Sequence, residues 1–276
     1  MSLADLPSLT ATIRRHGLAA DKRLGQHFLV DPAILARIAA AAEPLEGVTV
    51  VEVGPGPGGL TRALLASDAA RVVAVEADPR CVAALDDLVA GAAGRLEVVA
   101  GDALALDRRE LAPPPTAIVA NLPYNIASEL IVRWLRAPAG LARVVVLVQR
   151  EVAARLAAAP ASAAYGRLTV LAQWAARVEG LFELPPGAFR PPPKVHSRVV
   201  RLTPYAEAPI PARLATLERV TAAAFGQRRK MLRSSLKGLG RDPAGLCAAA
   251  EIDPRRRAET LTIAEFAALA NALDAA

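Results

Sequence analysis

Short, uninterrupted runs of apolar residues recur along the first part of the chain, with amphipathic segments between them. The runs contain mainly valine, alanine, leucine and isoleucine, and they cover residues 48–54, 71–76, 96–102, 116–121 and 143–149. Runs of this kind are typical of strands buried on both faces of a parallel sheet, since helices cover each face. Because strands and helices alternate, the sequence predicts an α/β fold with a doubly wound, mostly parallel sheet.

The segments between the runs have helical periodicity. Helices are predicted at residues 32–42, 60–65, 128–136, 150–157 and 166–176. Asp31 stands before Pro32, a pair that indicates an N-cap followed by a first-turn proline, and Ser128 is the expected cap of its helix. Two further strands are predicted, at 176–184 and 197–203.

After Pro204 the apolar runs give way to helical periodicity alone. Helices are predicted at 212–225, 228–239 and 263–273, with a short turn from Pro243. We therefore expect two domains, one over residues 1–204 and a smaller all-helical one over 205–276. The first domain includes a lead-in of residues 1–30, of which the first twenty are expected to be loosely held.

The composition restricts the class of protein. A chain of 276 residues with 53% hydrophobic content can bury a substantial core. The two cysteines, Cys81 and Cys247, are far apart and indicate neither a disulfide framework nor a metal cluster. The sequence has no signal-peptide pattern at Met1 and no apolar run long enough to span a bilayer. We therefore expect a cytoplasmic protein without a membrane partner.

The positive charge is concentrated in the C-terminal part. The formal net charge is +6, which favours a polyanionic partner. Between residues 213 and 241 the only acidic residue is Glu218, and the cations are Arg213, Arg219, Arg228, Arg229, Lys230, Arg233, Lys237 and Arg241. Such a run is often a solvated helix face, but its density favours contact with nucleic-acid phosphates.

A glycine-rich loop, Gly54–Gly59, follows the first strand and opens a helix, as in nucleotide-binding units. By itself the loop is weak evidence, because a plain tight turn gives the same pattern. Glu76, about 20 residues further on, can accept hydrogen bonds from ribose hydroxyls. Asp102 can accept from an adenine amino group, although it could equally cap a helix. With Glu52, these acids would repel a pyrophosphate and suit a cation such as S-adenosylmethionine.

The stretch Asn121-Leu122-Pro123-Tyr124 follows another strand and has the chemistry to hold a flat base. The Asn121 side-chain oxygen and the Leu122 carbonyl can accept both hydrogens of an amino group, while the Tyr124 ring stacks on the base. The same letters could form only a strand-to-helix turn. Phe189, in the proline-rich loop 185–196, could line the base pocket, although such loops are usually rigid connectors.

In combination these stretches resemble the KsgA-type ribosomal RNA adenine dimethyltransferase family. The similarity extends from Lys22 to about Leu239. The motifs that carry it are Leu24-Gly-Gln-His-Phe-Leu29, Glu52-Val-Gly-Pro-Gly-Pro-Gly-Gly-Leu-Thr61, Glu76, Gly101-Asp-Ala-Leu104, Asn121-Leu-Pro-Tyr124, Gln149-Arg-Glu-Val152, Pro191-Pro-Pro-Lys-Val195 and Phe225-Gly-Gln-Arg-Arg-Lys-Met-Leu232. His27 and the pair Ser234-Ser235 stand where many members have asparagine.

The resemblance implies an S-adenosylmethionine-dependent methyltransferase that needs no metal. It implies methylation of N6 of two adjacent adenosines near the 3′ end of small-subunit (16S) rRNA, within a pre-30S particle, and we expect a monomer. The implied cofactor contacts are Gln26, His27, Leu29, Gly54, Gly56, Glu76, Asp102, Ala103 and Asn121. The implied catalytic residues are Asn121, Leu122, Pro123 and Tyr124. The expected RNA contacts are Phe189, Arg228, Arg229, Lys230, Arg233 and Lys237.

Three other functions share parts of the pattern. A large-subunit rRNA methyltransferase of the macrolide-resistance type, or a DNA adenine methyltransferase, would use the same base grip. A ribosome-assembly or transcription factor could keep the fold and act by binding alone, although intact Glu76, Asp102 and Asn121 argue against lost catalysis. A nicotinamide-dependent oxidoreductase has only the glycine-rich loop in its favour.

Overall fold

The computed structural model describes residues 3–18 and 27–275. The chain forms two compact units. The first unit contains the residues up to Trp134, with Ala139–Ala153 and Glu179–Thr203; the second contains Leu135–Pro138, Ala154–Val178 and the residues from Pro204 onwards. The second unit thus includes segments that precede residue 204. The domain boundary at 204/205 stays a prediction.

Seven strands form one sheet, and two short strands form a separate antiparallel pair. The strands are β1 (Phe28–Leu29), β2 (Thr49–Val53), β3 (Arg71–Glu76), β4 (Leu96–Ala100), β5 (Thr116–Asn121), β6 (Leu141–Gln149), β7 (Ala176–Leu184), β8 (Phe189–Arg190) and β9 (Ser197–Pro204). The large sheet has the order β4-β3-β2-β5-β6-β9-β7. The neighbours from β4 to β6 are parallel and β9 is antiparallel to β6, which confirms the predicted α/β fold.

The helices are α1 (Leu9–Arg15), α2 (Pro32–Ala40), α3 (Gly59–Leu65), α4 (Pro79–Ala84), α5 (Asp86–Gly91), α6 (Arg108–Leu111), α7 (Ala127–Arg136), α8 (Arg150–Leu156), α9 (Arg167–Ala175), α10 (Leu214–Gly226), α11 (Leu232–Ser235), α12 (Pro243–Ala249) and α13 (Ile263–Ala275). In the first unit, Ile38 of α2 and Leu64 of α3 belong to one buried cluster with Val50 and Val72 of the sheet. Burying each such side chain contributes about 1.5–3 kcal/mol.

The strand order reverses between β2 and β5, because β3 and β4 extend the sheet on one side and β6 on the other. A crevice at the carboxyl ends of such strands is the usual ligand site of this fold. The loop after β2 turns sharply there. Gly58 has φ +86°, and a Cβ on it would lie 2.3 Å from Leu88 Cδ1, so only glycine fits.

The second unit is mainly helical around an aromatic core. The ring of Phe225 stacks on that of Phe266 at 5.5 Å and meets the Tyr165 ring edge-on at 6.1 Å. Trp174 Nε1 donates a hydrogen bond to the Ile210 carbonyl at 2.8 Å, which satisfies a polar group on a nearly buried ring.

The predicted helix 228–239 is wrong. Met231 forms an antiparallel bridge with Arg257, α11 begins only at Leu232, and a 3₁₀ turn covers Leu236–Leu239. The amides of Leu232 and Arg233 donate to the carbonyls of Arg256 and Pro254 at 2.8 and 3.0 Å. Because these donors have partners far away in sequence, a continuous helix through them cannot form.

The remaining comparisons between prediction and structure concern helix caps and short helices. Asp31 caps α2 as predicted, since its Oδ1 accepts from the Ala33 amide at 2.9 Å. Ser128 is not a cap, because the Leu130 amide bonds the Ile126 carbonyl and α7 begins at Ala127. The sequence pattern did not predict α1, α4, α5 or α6, and it predicted a short turn where α12 lies. Residues 3–18 of the lead-in are better held than expected: α1 is capped by Ser8, and Leu9 packs on the core.

Candidate active site

A cavity of about 240 Å³ lies at the carboxyl edge of the sheet in the first unit. It is lined by His27, Phe28, Val53, Gly54, Gly56, Val75, Glu76, Ala77, Gly101, Asp102, Ala103, Leu104, Asn121, Leu122, Pro123, Tyr124, Asn125 and Ile126. The cavity therefore brings together the glycine-rich loop, the acids after β3 and β4, and the stretch after β5. The described lining carries two carboxylates and no lysine or arginine, a charge pattern that suits a cationic ligand.

Glu76 is buried at the end of β3, and backbone amides hold its carboxylate in place. Oε2 accepts from the Gly56 amide at 2.9 Å, and Oε1 accepts from the Asp78 amide at 2.8 Å. Burial raises the pKa of Glu76, and the amide hydrogen bonds oppose that rise. The carboxylate is thus fixed in orientation at the pocket.

The Asn121 carboxamide is oriented by the backbone of His27. Its Nδ2 donates to the His27 carbonyl at 3.0 Å, so Oδ1 is the end of the amide that is available as an acceptor. The His27 ring is fixed as well, because its Nδ1 lies 2.9 Å from the Pro191 carbonyl. A carbonyl only accepts, so Nδ1 carries the proton in this contact.

Tyr124 is half-buried and has contacts on its ring face and at its hydroxyl. Its ring stacks on that of His27 with centroids 5.5 Å apart and planes inclined by 28°. Its hydroxyl lies 2.6 Å from Ser197 Oγ. Burial raises the pKa of Tyr124, and the hydrogen bond with Ser197 opposes the rise. The sequence reading assigned no role to Ser197, since its partner is 73 residues away in the chain.

The three acids are not equivalent. Glu52 lines a separate small cavity of about 30 Å³ beneath the glycine-rich loop, which shares Gly54, Gly56 and Asn121 with the larger one. Only 1% of Glu52 is exposed, and its Oε2 has no hydrogen-bond partner among the described residues. Burial, with a smaller contribution from Glu76, raises the pKa of Glu52 to about 8. At pH 7 Glu52 is therefore mainly neutral, and it does not add to the negative potential that the sequence predicted.

Several residues that the sequence predicted to contact the cofactor or a base have other surroundings in the structure. Asp102 is exposed at the pocket, and its Oδ1 caps a turn by accepting from the Leu104 amide at 2.9 Å. Leu29 lines the smaller cavity, and Gln26 lies outside the described residues. Phe189 pairs with Leu29 and is 0% exposed, so its ring offers no surface to a base. It contacts the His27 ring edge-on at 6.5 Å and thus supports the site from within the core.

Four of the five predicted RNA-contacting cations are exposed on the second unit, namely Arg229, Lys230, Arg233 and Lys237. Arg228 differs, because it is half-buried and its Nη2 donates to the carbonyls of Ser162 and Ala163 at 3.3 and 3.1 Å. Part of this guanidinium is therefore committed to the backbone. Fewer of its donors are therefore available to an external ligand than those of the four exposed cations.

An open groove of about 760 Å³ on the second unit joins cations from separate segments. Arg219 of α10 lines it together with Lys230 and Lys237. Ser235 also lines the groove, and its buried Oγ has no hydrogen-bond partner in the described part of the chain. A groove lined by three exposed cations can accept the oxygens of a phosphate.

Comparison with known sequences identifies the relatives of this chain. The family described as "Ribosomal RNA adenine dimethylase" matches residues 17–275. The chain belongs to this family. A relative of Rhodopseudomonas palustris (strain TIE-1), named ribosomal RNA small subunit methyltransferase A, is 58% identical over 99% of this chain and 96% of its own length. A relative of the same name from Gluconobacter oxydans is 57% identical over 96% of this chain and 87% of its own length.

Two solved structures have a fold similar to that of this chain. A dimethyladenosine transferase from Plasmodium falciparum is similar with a TM-score of 0.75 and 26% identity, covering 88% of this chain and 96% of its own. The 23S rRNA methyltransferase ErmE is similar with a TM-score of 0.68 and 28% identity, and the match covers 90% of this chain and 99% of the ErmE chain. The family resemblance inferred from the motifs is thus confirmed.

Across residues 3–18 and 27–275, no cluster of three or more histidine, cysteine, aspartate or glutamate side chains is arranged to hold a metal ion. Over the same ranges, the helices are too short or too polar to cross a bilayer.

Proposed function

We propose that this rRNA adenine dimethylase transfers methyl groups from S-adenosylmethionine to N6 of two adjacent adenosines near the 3′ end of small-subunit rRNA, during ribosome biogenesis. Family membership and the 58% identical small-subunit methyltransferase support this function. The observation that carries it is the pocket in which Asn121, Leu122, Pro123 and Tyr124 meet the glycine-rich loop and Glu76.

The lining of the pocket fits this cofactor. Gly54 and Gly56 have positive φ, and a Cβ on Gly56 would lie 3.1 Å from the Phe28 ring, so both positions favour glycine and present bare backbone to the pocket. The fixed Glu76 carboxylate suits the ribose hydroxyls, and Asp102 with Ala103 suits the adenine edge. When bound, S-adenosylmethionine supplies a methyl group on a positively charged sulfur.

The residues after β5 are proposed to present the target amine. Asn121 Oδ1 and the Leu122 carbonyl accept the two N6 hydrogens, which turns the N6 lone pair towards the methyl donor. This orientation matters because the lone pair is otherwise delocalised into the adenine ring. The proton lost from N6 can pass to water after transfer, so no side chain is assigned as general base.

The Tyr124 ring is proposed to hold the extruded adenine. One face of the ring is covered by His27, at a centroid distance of 5.5 Å, so the base stacks on the other face. His27 stands where many members have asparagine, but its backbone carbonyl still anchors the Asn121 amide. His27 thus contacts both Tyr124, through its ring, and Asn121, through its backbone carbonyl.

The exposed cations of the second unit are proposed to bind rRNA phosphates. Lys230 and Lys237 line the groove with Arg219, and Arg229 and Arg233 are exposed nearby in sequence. Contacts of this kind give affinity without reading sequence, so they suit a substrate selected by its folded shape. The proposed partner is small-subunit rRNA within a pre-30S particle, bound by one copy of the chain in the cytoplasm.

The deciding experiment measures transfer of labelled methyl groups from S-adenosylmethionine to four substrates side by side. These are unmethylated small subunits, naked 16S rRNA, large subunits and adenine-containing DNA. We expect label in dimethyladenosine of the small subunit, as detected by nuclease digestion and mass spectrometry. Label mainly in the large subunit would favour the specificity named for ErmE, and label in DNA would also contradict the proposal. Binding of NAD instead of S-adenosylmethionine would contradict the cofactor assignment.

A further inference from the structure

The hydroxyl of Tyr124 has a partner that base stacking does not require. Ser197 Oγ lies 2.6 Å from the Tyr124 hydroxyl, and Ser197 is 0% exposed. Ser197 begins β9 and pairs with Gln149 at the end of β6, so the sheet fixes its position. The Arg150 amide also donates to the His196 carbonyl at 2.9 Å, which secures the residue before Ser197. Tyr124 is therefore tied to a rigid element and not to another loop.

The same segment also holds the ring that stacks on Tyr124. The Pro191 carbonyl accepts from His27 Nδ1 at 2.9 Å, and the His27 ring lies against Tyr124. Residues 191–197 thus contact both members of the stacked pair, one at each end of the segment. Behind them, the fully buried Phe189 meets the His27 ring edge-on at 6.5 Å.

We propose that Ser197 is a positioning residue for methyl transfer, which acts by fixing the direction of the Tyr124 ring. The inference rests on the proposed function, because it assumes that Tyr124 stacks on the target adenine. The tyrosine oxygen lies on the Cβ–Cγ axis, so a hydrogen bond there fixes where the ring points. Contact with His27 fixes the rotation of the ring about that axis. Together the two contacts leave one orientation for the free face of the ring, and hence for a base stacked on it.

The test compares two single variants of the full-length chain, Ser197→Ala and Tyr124→Phe. Each removes the same hydrogen bond, the first by deleting the serine hydroxyl and the second by deleting the tyrosine hydroxyl. We expect kcat on small subunits to fall about threefold to tenfold in each, as for the loss of one hydrogen bond, with an unchanged KM for S-adenosylmethionine. The double variant should lose no more than the larger single loss, because both changes remove one interaction. Tyr124→Phe keeps the test valid if Ser197→Ala lowers the yield of folded protein.

Ser67→Ala is the matched control, because Ser67 Oγ also donates one hydrogen bond, to the Leu64 carbonyl, and lies outside the pocket lining. It should leave kcat unchanged. A second readout is the ultraviolet absorbance of tyrosinate. The hydrogen bond with Ser197 lowers the pKa of Tyr124, so Ser197→Ala should raise that pKa, whereas Ser67→Ala should not. The raised pKa shows that the hydrogen bond is lost in Ser197→Ala. An equal fall in kcat in Tyr124→Phe, which leaves Ser197 in place, separates an effect through Tyr124 from a purely structural role of Ser197.

Each outcome has a distinct meaning. A kcat within twofold of wild type in both single variants would overturn the inference, and so would losses that multiply in the double variant. An inactive wild-type enzyme on small subunits would contradict the proposed function instead. Because wild type is measured in the same assay, the two failures are distinguishable.

Discussion

Three polar side chains in the pocket of the first unit are held by hydrogen bonds, namely Asn121, Glu76 and Tyr124, whereas the cations that line the second unit's groove are exposed to solvent. Asn121 is held by His27, and Glu76 is held by two backbone amides. Lys230 and Lys237 are exposed. The difference indicates that the pocket works by fixed geometry, in which one lost contact misplaces several groups. The groove works by summed charge, in which any one cation contributes a small share.

The sharpest test of fixed geometry is Asn121→Ala. The substitution removes the proposed acceptor for N6 and also the amide that bonds the His27 carbonyl. We expect methyl transfer to fall by about 100-fold or more, since small misplacements of reacting groups have effects of that size. The affinity for S-adenosylmethionine, measured by calorimetry, should change much less.

A matched control for this variant is Asn271→Ala in the second unit. Asn271 Nδ2 also donates to one carbonyl, that of Pro211, at 2.9 Å. Its loss should leave methyl transfer near the wild-type rate. Full activity of Asn121→Ala would mean that the stretch from Asn121 to Tyr124 is only a strand-to-helix turn, which is the alternative that its sequence left open.

Glu76→Ala tests the cofactor side of the same pocket. The change removes the proposed ribose acceptor and leaves the amides of Gly56 and Asp78 without their acceptor. We expect the dissociation constant for S-adenosylmethionine to rise about tenfold to 100-fold, as for the loss of hydrogen bonds to a charged group.

Calorimetry on Glu97→Ala provides the comparison, because Glu97 lies near the amino end of β4 and pairs with the exposed Arg71. That variant should bind the cofactor as wild type does. An unchanged dissociation constant in Glu76→Ala would count against a ribose contact.

The sequence predicted the parts of the fold and of the site that have a local physical cause. Buried parallel strands need continuous apolar runs, and the sharp turn after β2 needs glycine at Gly58, so both were found. The break before α11 was missed, because it depends on carbonyls at 254–256 that accept from residues 232 and 233. The contact between Ser197 and Tyr124 and the raised pKa of Glu52 were not predicted, for the same reason. A partner or a degree of burial set by the folded chain leaves no periodic signal in the sequence.

The protonation of Glu52 sharpens the comparison further, because it depends mainly on burial in the folded chain. Burial raises the pKa of Glu52 to about 8 in the folded protein, against 4.5 as its ordinary value. The folded state therefore keeps a proton that the unfolded state loses, and the free energy of unfolding falls as the pH rises from about 4.5 to about 8.

Glu52→Gln should remove this part of the pH dependence. We expect the slope of unfolding free energy against pH, measured with urea between pH 5 and pH 8, to become less negative by up to about 1.4 kcal/mol per pH unit. Glu76, whose pKa is also raised by burial, remains in both proteins, so the difference in slope reports the ionisation of Glu52 together with its coupling to Glu76. Equal slopes in the two proteins would show that Glu52 ionises normally in the fold.

The smallest effect is expected from one cation of the groove, and Lys237→Ala tests it. Affinity for small-subunit rRNA should fall about twofold to fivefold, as for one exposed ionic contact. The dependence of log affinity on log salt should lose about 0.7 to 0.9 of its slope, because one phosphate contact is removed. Arg71→Ala removes an equal charge from the first unit, where Arg71 pairs with Glu97, and should leave the slope unchanged. A loss above 100-fold in Lys237→Ala would mean that the groove, like the pocket, works by fixed geometry.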